Sequence, residues 1–423
     1  MLLKVPYILA ILPTSIGKSL AYLLTCSLSI SKVTIVIIPL VGLKADILRR
    51  AKEYNIPSTI YENSKEFSNL TLVSIETITS PTFISLVQGL INSNSLDRII
   101  IDECHLLISL SSYRSIMFRF KEVLILNTQF VFLTGTLPFS FEKELISMLY
   151  LSDLSIIRAS CSRPNISYRT SVYKSNKEEE RVLEIKEYIN NFQSTEFLST
   201  KDKVLIFCPS INNIELVASI LNCSKYYSSL SKEEKELTLS NYLNSSEDYY
   251  NTLVTSSSLE EGFNYSSIRL VIYKDIAYSF LGFLQGSSRG GRDNKPSSSV
   301  FFYNSKDFRL SSLEPSSLNL LISNKALVNQ YLQESTCRRR QISLYLDSKL
   351  VEQCSSTDNF CDLCSQRLST TSKQVQSILN STKASERERE IVKENLTKLI
   401  NQCLYCSLLL NTEDNSSKLH SPS

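Results

Sequence analysis

The sequence predicts an α/β protein in which two tandem parallel-sheet lobes are followed by a small cysteine-rich helical subdomain. Three observations carry this expectation. Short continuous apolar runs alternate with helical patterns up to about residue 310, as strands buried on both faces do. Several of these runs end in polar residues, and ligands gather at the carboxyl ends of such strands. Beyond that point the strand pattern stops, and cysteines cluster between 337 and 364.

The first run, Val5–Leu12 in "VPYILAIL", reads as a buried strand rather than a secretory signal, because it contains Pro6 and lacks a small-x-small cleavage site. The first lobe, residues 1–165, continues with strands in "VTIVIIPL" (33–40), "LTLVSI" (70–75), "DRIIIDE" (97–103) and "QFVFLTGT" (129–136). A charged segment, 173–203, predicts a helix with surface loops leading into a second lobe, residues 166–310. Its strands are expected in "KVLIFCPS" (203–210), "NTLVTSS" (251–257), "RLVIYKD" (269–275) and "SVFFY". The cysteine-rich subdomain is expected over 311–375 and a tail over 376–423. Ser385 and Glu388 make a capping box, and Ile391, Val392, Leu396, Leu399 and Ile400 form one apolar helical face. From Asn411 the tail is polar and expected to be disordered.

A chain of 423 residues has room for two or three domains, and 43% apolar with 21% charged residues is ordinary for a globular protein. The net charge of +3 permits a nucleic-acid partner without arguing for one. No stretch approaches the ~20 apolar residues of a membrane span, so no membrane partner is expected. Eleven cysteines without a signal suit an intracellular, reducing compartment, as thiols, metal ligands or core residues.

The chemistry begins at "LPTSIGKSL". A strand, a turn of small residues and a helix starting at Lys18 would aim backbone amides at phosphate oxygens. Thr14, Ser15, Ile16, Gly17, Lys18 and Ser19 make up that loop, with Lys18 on the terminal phosphates and the Ser19 hydroxyl on Mg²⁺. The stretch holds one glycine where such loops hold several, and a β-branched Ile16 is stiff if its φ must be positive. "IIIDECHLLI" supplies the partner: Asp102 for the magnesium shell, Glu103 to orient and deprotonate water, His105 to couple the site to its surroundings. In the second lobe "QGSSRGGRD" brings Gln285, Arg289 and Arg292 together, after a strand followed by Gly262. Arginines presented across a cleft stabilise charge on a transferring phosphoryl group. Cys337, Cys354, Cys361 and Cys364, closing in C-x-x-C, suit a tetrahedral structural Zn²⁺. Cys403 and Cys406 read as apolar-face residues of the tail helix.

Order and spacing together resemble the RecQ-type DNA helicases of superfamily 2, from about Ile8 to Cys364. The matching segments are "LPTSIGKS" as motif I, "VIIPLVGLKADILRR" as Ia, "LVSIETI" as Ib, "IDECH" as II and "LTGTLP" as III. They continue with "VLIFCPS" as IV, "VTSSSLEEGFNYSSIRLVI" as V and "QGSSRGGRD" as VI, and "CSRPNISY" is similar to the segment that joins the lobes. The cysteine region, beginning Cys-Arg-Arg and ending Cys-Asp-x-Cys, resembles the zinc subdomain of that family, with a longer middle spacing. The resemblance implies two RecA-like lobes, ATP and Mg²⁺, structural Zn²⁺, and 3′ to 5′ movement on single-stranded DNA with unwinding at duplex junctions. It implies DNA contacts at Pro39, Leu40, Ser74, Glu76, Ser210 and Thr255, with Tyr113 and Arg114 matching the later part of a coupling loop. A nuclear location follows by analogy with the family. Protein partners are not implied.

Departures from the family are Ser15 and Ile16 in motif I, Gly135 in III, Asn264 in V and Ser288 in VI. A glutamine motif that reads adenine is expected before motif I and is not found in this sequence. The resemblance reaches only to Cys364, so a winged helix is not expected in this sequence. A core that binds nucleic acid without turning over ATP is therefore the alternative reading. A DEAD-box RNA helicase is disfavoured by "DECH" and the cysteines. Some fungal chromosome-end helicase genes are similar in keeping "DECH" and "CRR".

Overall fold

The computed structural model describes residues 5–13, 17–28, 32–38, 41–109, 114–151, 153–197, 199–244, 250–256, 265–275, 279–305 and 325–370. The first sheet is formed by β1 (Tyr7–Ile11), β2 (Val33–Ile37), β3 (Ser58–Ile60), β4 (Leu70–Val73), β5 (Leu96–Ile101), β6 (Gln129–Thr134) and β7 (Leu154–Arg158). Their order is β3-β4-β2-β5-β6-β1-β7, with every pairing parallel. The second sheet is formed by β8 (Ile166–Val172), β9 (Lys203–Phe207), β10 (Ser224–Tyr226), β11 (Thr252–Thr255), β12 (Ile268–Lys274) and β13 (Ser297–Tyr303). Its order is β10-β11-β9-β12-β13-β8, again parallel throughout.

The period-2 alternation of side chains explains why the strands read as unbroken apolar runs: both faces are covered. Leu9, Ile11, Ile35, Ile37, Ile99 and Ile101 enter one core, while Ile8, Ala10, Val36 and Ile100 enter another on the opposite face. In the second lobe Val204 and Ile206 face the helix Glu178–Glu196 side, and Leu205 and Phe207 join the core shared with the first lobe. Four strands were not legible in the sequence: β3, β7, β8 and β10. Each is short or polar and lies at or next to a sheet edge; Ile156 and Ile157 of β7 are exposed. The topology places the site. β6 lies between β1, which feeds the loop at Gly17, and β5, which ends at Ile101, directly before Asp102.

The cysteine-rich subdomain is built on helices Lys325–Gln333 and Arg338–Asp347. The basic run "CRRRQ" is structural. Arg338 Nε donates to Asp362 Oδ1 at 3.0 Å, and Asp362 also accepts from the Thr170 amide at 3.0 Å. Arg339 donates to the carbonyls of Arg163 (3.0 Å), Pro164 (3.0 Å) and Ile166 (2.7 Å). Residues Met1–Cys364 form one compact unit and Ser365–Ser423 another, of which residues 365–370 are described, as helix. The expected helix after Lys383, Cys403, Cys406 and the tail from Asn411 lie outside the described residues. No helix among the described residues is long and apolar enough to cross a membrane.

Candidate active site

Gly17 has φ +86, a conformation that side chains disfavour, so the one glycine kept in this loop stands where the backbone requires it. Thr14, Ser15 and Ile16 lie outside the described residues. Lys18 opens the helix Lys18–Leu28, and its Nζ lies 3.8 Å from Glu103 Oε1. The Ser19 hydroxyl accepts a hydrogen bond from Arg50 Nη1 at 2.9 Å. Nothing in the sequence singled out Arg50.

Asp102 is buried. Its Oδ2 accepts from the Tyr22 hydroxyl at 3.3 Å and its Oδ1 from the Glu103 amide at 3.0 Å. Burial first, and then the charge of Glu103, push this carboxyl up to about 6. A buried carboxylate so disfavoured, with the Ser19 hydroxyl on the same lobe, offers the hard oxygen donors that suit Mg²⁺. Glu103 sits at φ +48, a left-handed position rare outside glycine and characteristic of functional sites. Burial works to raise its pKa, but the Lys18 cation and the His105 ring hold it well below the usual carboxylate range. In this state Glu103 is ionised and Lys18 engages it.

His105 is buried and connects the lobes. Its Nδ1 lies 2.8 Å from Thr134 Oγ1 and 3.3 Å from Glu103 Oε2, while its Nε2 lies 2.7 Å from Gln285 Nε2. Gln285 Nε2 also donates to Thr136 Oγ1 at 3.2 Å. With the amide of Gln285 donating, Nε2 must accept, so the proton of a neutral ring sits on Nδ1 and points to Glu103 and Thr134. One imidazole thus joins the ends of β5 and β6 to the helix Phe280–Ser287 of the other lobe.

The turn after that helix carries Arg289 and Arg292, and the inter-lobe segment holds it. Arg163 donates to the carbonyls of Ser288 (3.1 Å), Gly290 (3.1 Å) and Gly291 (2.8 Å). Asn165 Nδ2 donates to Gly291 O and Lys295 O, both at 2.8 Å. Gly291 has φ +57, and a Cβ there would stand 2.4 Å from Asn165 Nδ2. Ser288, where the family has glycine, has φ −68 and needs none. Arg269 grips Asp293 in a bidentate pair, Nη1 at 2.9 Å from Oδ1, and so fixes the residue after Arg292. Burial, then the charges of Arg289 and Arg163, push the Arg292 guanidinium well below its ordinary value, with Arg50 adding to the same effect. Like charges are thus crowded at this turn.

Of the residues expected at DNA contacts, Ser74, Ser210 and Thr255 lie at or just after strand ends. Ser74 and Ser210 are N-caps, accepting from Thr77 N and Asn213 N, both at 3.2 Å. Thr255 is buried and donates to Ser256 O at 3.1 Å; Glu76 is exposed. Arg114 opens the helix Arg114–Leu124. Pro39, Leu40, Tyr113 and Gly262, and the side chain of Arg114, lie outside the described residues.

Cys337, Cys354, Cys361 and Cys364 are all buried, with their Sγ atoms within 4.8 Å of one another. Cys337 Sγ lies 3.7 Å from Cys354 Sγ and 3.9 Å from Cys361 Sγ. A tetrahedron with metal–sulfur bonds of about 2.3 Å has sulfurs about 3.8 Å apart, so the cluster can chelate a metal ion.

Comparison with known proteins places these halves. The model of the DEAD/DEAH box helicase family matches residues 2–145, and that of the helicase conserved C-terminal domain matches residues 180–294. A protein of Acanthamoeba polyphaga mimivirus named as an ATP-dependent RNA helicase is 28% identical over 380 residues, covering 83% of this chain and 66% of its own. The ATP-dependent DNA helicase RecQ of Haemophilus influenzae is 25% identical over 390 residues, covering 84% of this chain and 58% of its own. The structure of S. cerevisiae Dbp5 bound to RNA and ADP BeF3 superposes with a TM-score of 0.54 at 15% identity, covering 71% of this chain and 80% of that one. This last likeness concerns the fold alone. The chain spans no more than about two thirds of the length of these two curated relatives. These relatives support the wider family, not the narrower resemblance to fungal chromosome-end helicases. Two family matches in tandem, with the segments of Lys18, Glu103–His105 and Gln285 joined by direct contacts, carry the parts of an ATP-hydrolysing motor, and the chain is similar over most of its length to superfamily 2 nucleic-acid helicases of both RecQ and DEAD-box type.

Proposed function

We propose that the protein is an ATP-dependent DNA helicase of RecQ type, moving 3′ to 5′ on single-stranded DNA and opening duplex junctions. The observation that supports an ATP-driven motor is the Gln285–His105 contact, 2.7 Å between nitrogens, which ties Glu103 in one lobe to the arginine turn of the other. Lys18 binds the terminal phosphates, leaving Glu103 to orient and deprotonate water; Arg289 and Arg292 neutralise charge on the transferring group. Ser19 and Asp102 would hold Mg²⁺, which would supply charge neutralisation at the phosphates. The four cysteines would hold a structural Zn²⁺. That cluster, with its Cys-Arg-Arg start, supports RecQ type over DEAD-box type. Single-stranded DNA is bound through Pro39, Leu40, Ser74, Glu76, Tyr113, Arg114, Ser210 and Thr255. A nuclear location follows from that substrate.

The mimivirus relative, named as an RNA helicase, favours a second reading in which the strand is RNA. One strand-displacement assay tests both, using DNA and RNA duplexes with a single-stranded tail at either end. Release of the 3′-tailed DNA duplex alone is the expected result. Release of 5′-tailed DNA, or of RNA in preference to DNA, overturns the RecQ-type reading.

A further inference from the structure

Arg50, the last residue of the motif Ia segment, reaches the nucleotide site, and the motif gives it no role there. It projects from the helix Val41–Glu53, which follows directly on the motif Ia residues Pro39 and Leu40. Its guanidinium spans two partners. Nη1 donates to the Ser19 hydroxyl at 2.9 Å, and Nη2 pairs with Asp46 Oδ2 at 2.8 Å, one helical turn back. The side chain is about a quarter exposed, 28% by area, so its charge is only partly screened. The hydroxyl it engages is the one that would ligate Mg²⁺. The charge of Arg50 is felt at Arg292 of the facing lobe and at Tyr22, whose hydroxyl bonds Asp102. A protein cation therefore sits among the groups that would receive a metal and a phosphate.

We propose that Arg50 is a cation placeholder: it holds the Ser19 hydroxyl while no metal is bound and gives it up when metal and nucleotide load together. Asp46 is its parking partner, drawing the guanidinium back along the helix. Because most of that helix belongs to motif Ia, movement of Ia changes how firmly Arg50 holds Ser19, which makes it a positioning residue linking strand binding to nucleotide loading. The inference rests on the assignment of Ser19 as a metal ligand.

Two consequences have opposite signs, which a merely structural contact would not produce. Replacing Arg50 by glutamine removes the competitor to the metal and also a cation that supports metal-free nucleotide. Replacing Asp46 by asparagine removes the parking partner and strengthens the hold on Ser19. The experiment measures binding of a fluorescent ADP analogue to the full chain with excess Mg²⁺ and with EDTA. The quantity read is the Mg²⁺ advantage, the ratio of the two dissociation constants. Arg50→Gln is expected to raise the advantage about fivefold, the scale of one partly exposed charged hydrogen bond. Asp46→Asn is expected to lower it, and Arg50→Lys to stay near the natural protein. An advantage unchanged by Arg50→Gln, or moved in the same direction by Asp46→Asn, overturns the inference. Ser19→Ala separates the two levels of the argument. If it abolishes the advantage while Arg50→Gln leaves it alone, only the role of Arg50 fails. If Ser19→Ala changes nothing, the metal assignment fails and the placeholder with it.

Discussion

Removing the Gln285 side chain tests how the two lobes communicate. Gln285→Ala deletes two hydrogen bonds, at 2.7 Å to His105 and 3.2 Å to Thr136, and leaves the buried His105 Nε2 without its donor. The Thr136 bond contributes about 1 kcal/mol net, and the buried His105 acceptor left unsatisfied costs about 1–3 kcal/mol, so the joined arrangement loses roughly 2–4 kcal/mol. At 1.4 kcal/mol per tenfold, the population of the joined state falls about 30- to 700-fold. The Lys18 and Ser19 side of the site is untouched. DNA-stimulated kcat is therefore expected to fall by that factor, while the dissociation constant for a fluorescent ADP analogue changes less than about threefold. A double variant with His105→Ala should be little worse than either single change, because both remove one contact. If Gln285→Ala keeps more than a third of the stimulated rate, or if the two changes add fully, the relay through His105 does not operate.

Three further outcomes follow from local geometry. Gly291→Ala forces a Cβ within 2.4 Å of Asn165 Nδ2 at a positive φ, which should cost about 1–3 kcal/mol in urea unfolding and depress ATPase activity further than that by displacing Arg289 and Arg292. Cys354→Ser should release the bound metal, measured by mass spectrometry of the native protein, and lower the unfolding temperature by roughly 6–12 °C, whereas Cys26→Ser should leave metal content unchanged. Asp102 gives a pH signature: burial holds its carboxyl near 6, against 3.8 for the unfolded chain. Its contribution to the metal-free fold is fully present below 3.8 and is lost as pH rises through 6, so Asp102→Asn should flatten the fall in stability over that window. Binding of Mg²⁺ with nucleotide should run the other way and weaken below pH 6, as protons compete for the carboxylate.

Much of the site was legible because its chemistry is concentrated in short segments at strand ends. Asp102, Glu103 and His105 share one short segment, Gln285, Arg289 and Arg292 another that runs from a helix into the following turn, and the structure joins the two through His105 and Gln285. The four cysteines were legible because thiolate spacing constrains a metal site tightly. The supporting residues were not. Tyr22 looks like an ordinary helix residue, and its bond to Asp102 spans 80 positions in the chain. Arg163 and Asn165 were visible as part of the segment between the lobes, but their grip on the turn at 288–291 is purely tertiary. Ser74 and Ser210 show the reverse difficulty: a small polar residue at a strand end is also the natural N-cap of the next helix, and their oxygens serve that purpose here. The glycine deficit in "LPTSIGKSL" is narrower than its composition suggested, since the remaining glycine occupies the left-handed position at Gly17.

The most direct test is ATP hydrolysis by the purified chain with and without single-stranded DNA, alongside Lys18→Ala and Glu103→Gln. The account predicts a DNA-stimulated rate in the natural protein, loss of that rate in both variants, and retained nucleotide binding in Glu103→Gln. A natural protein no faster than Lys18→Ala, yet still binding DNA in a salt-sensitive way, would contradict it and leave a nucleic-acid binder without a motor.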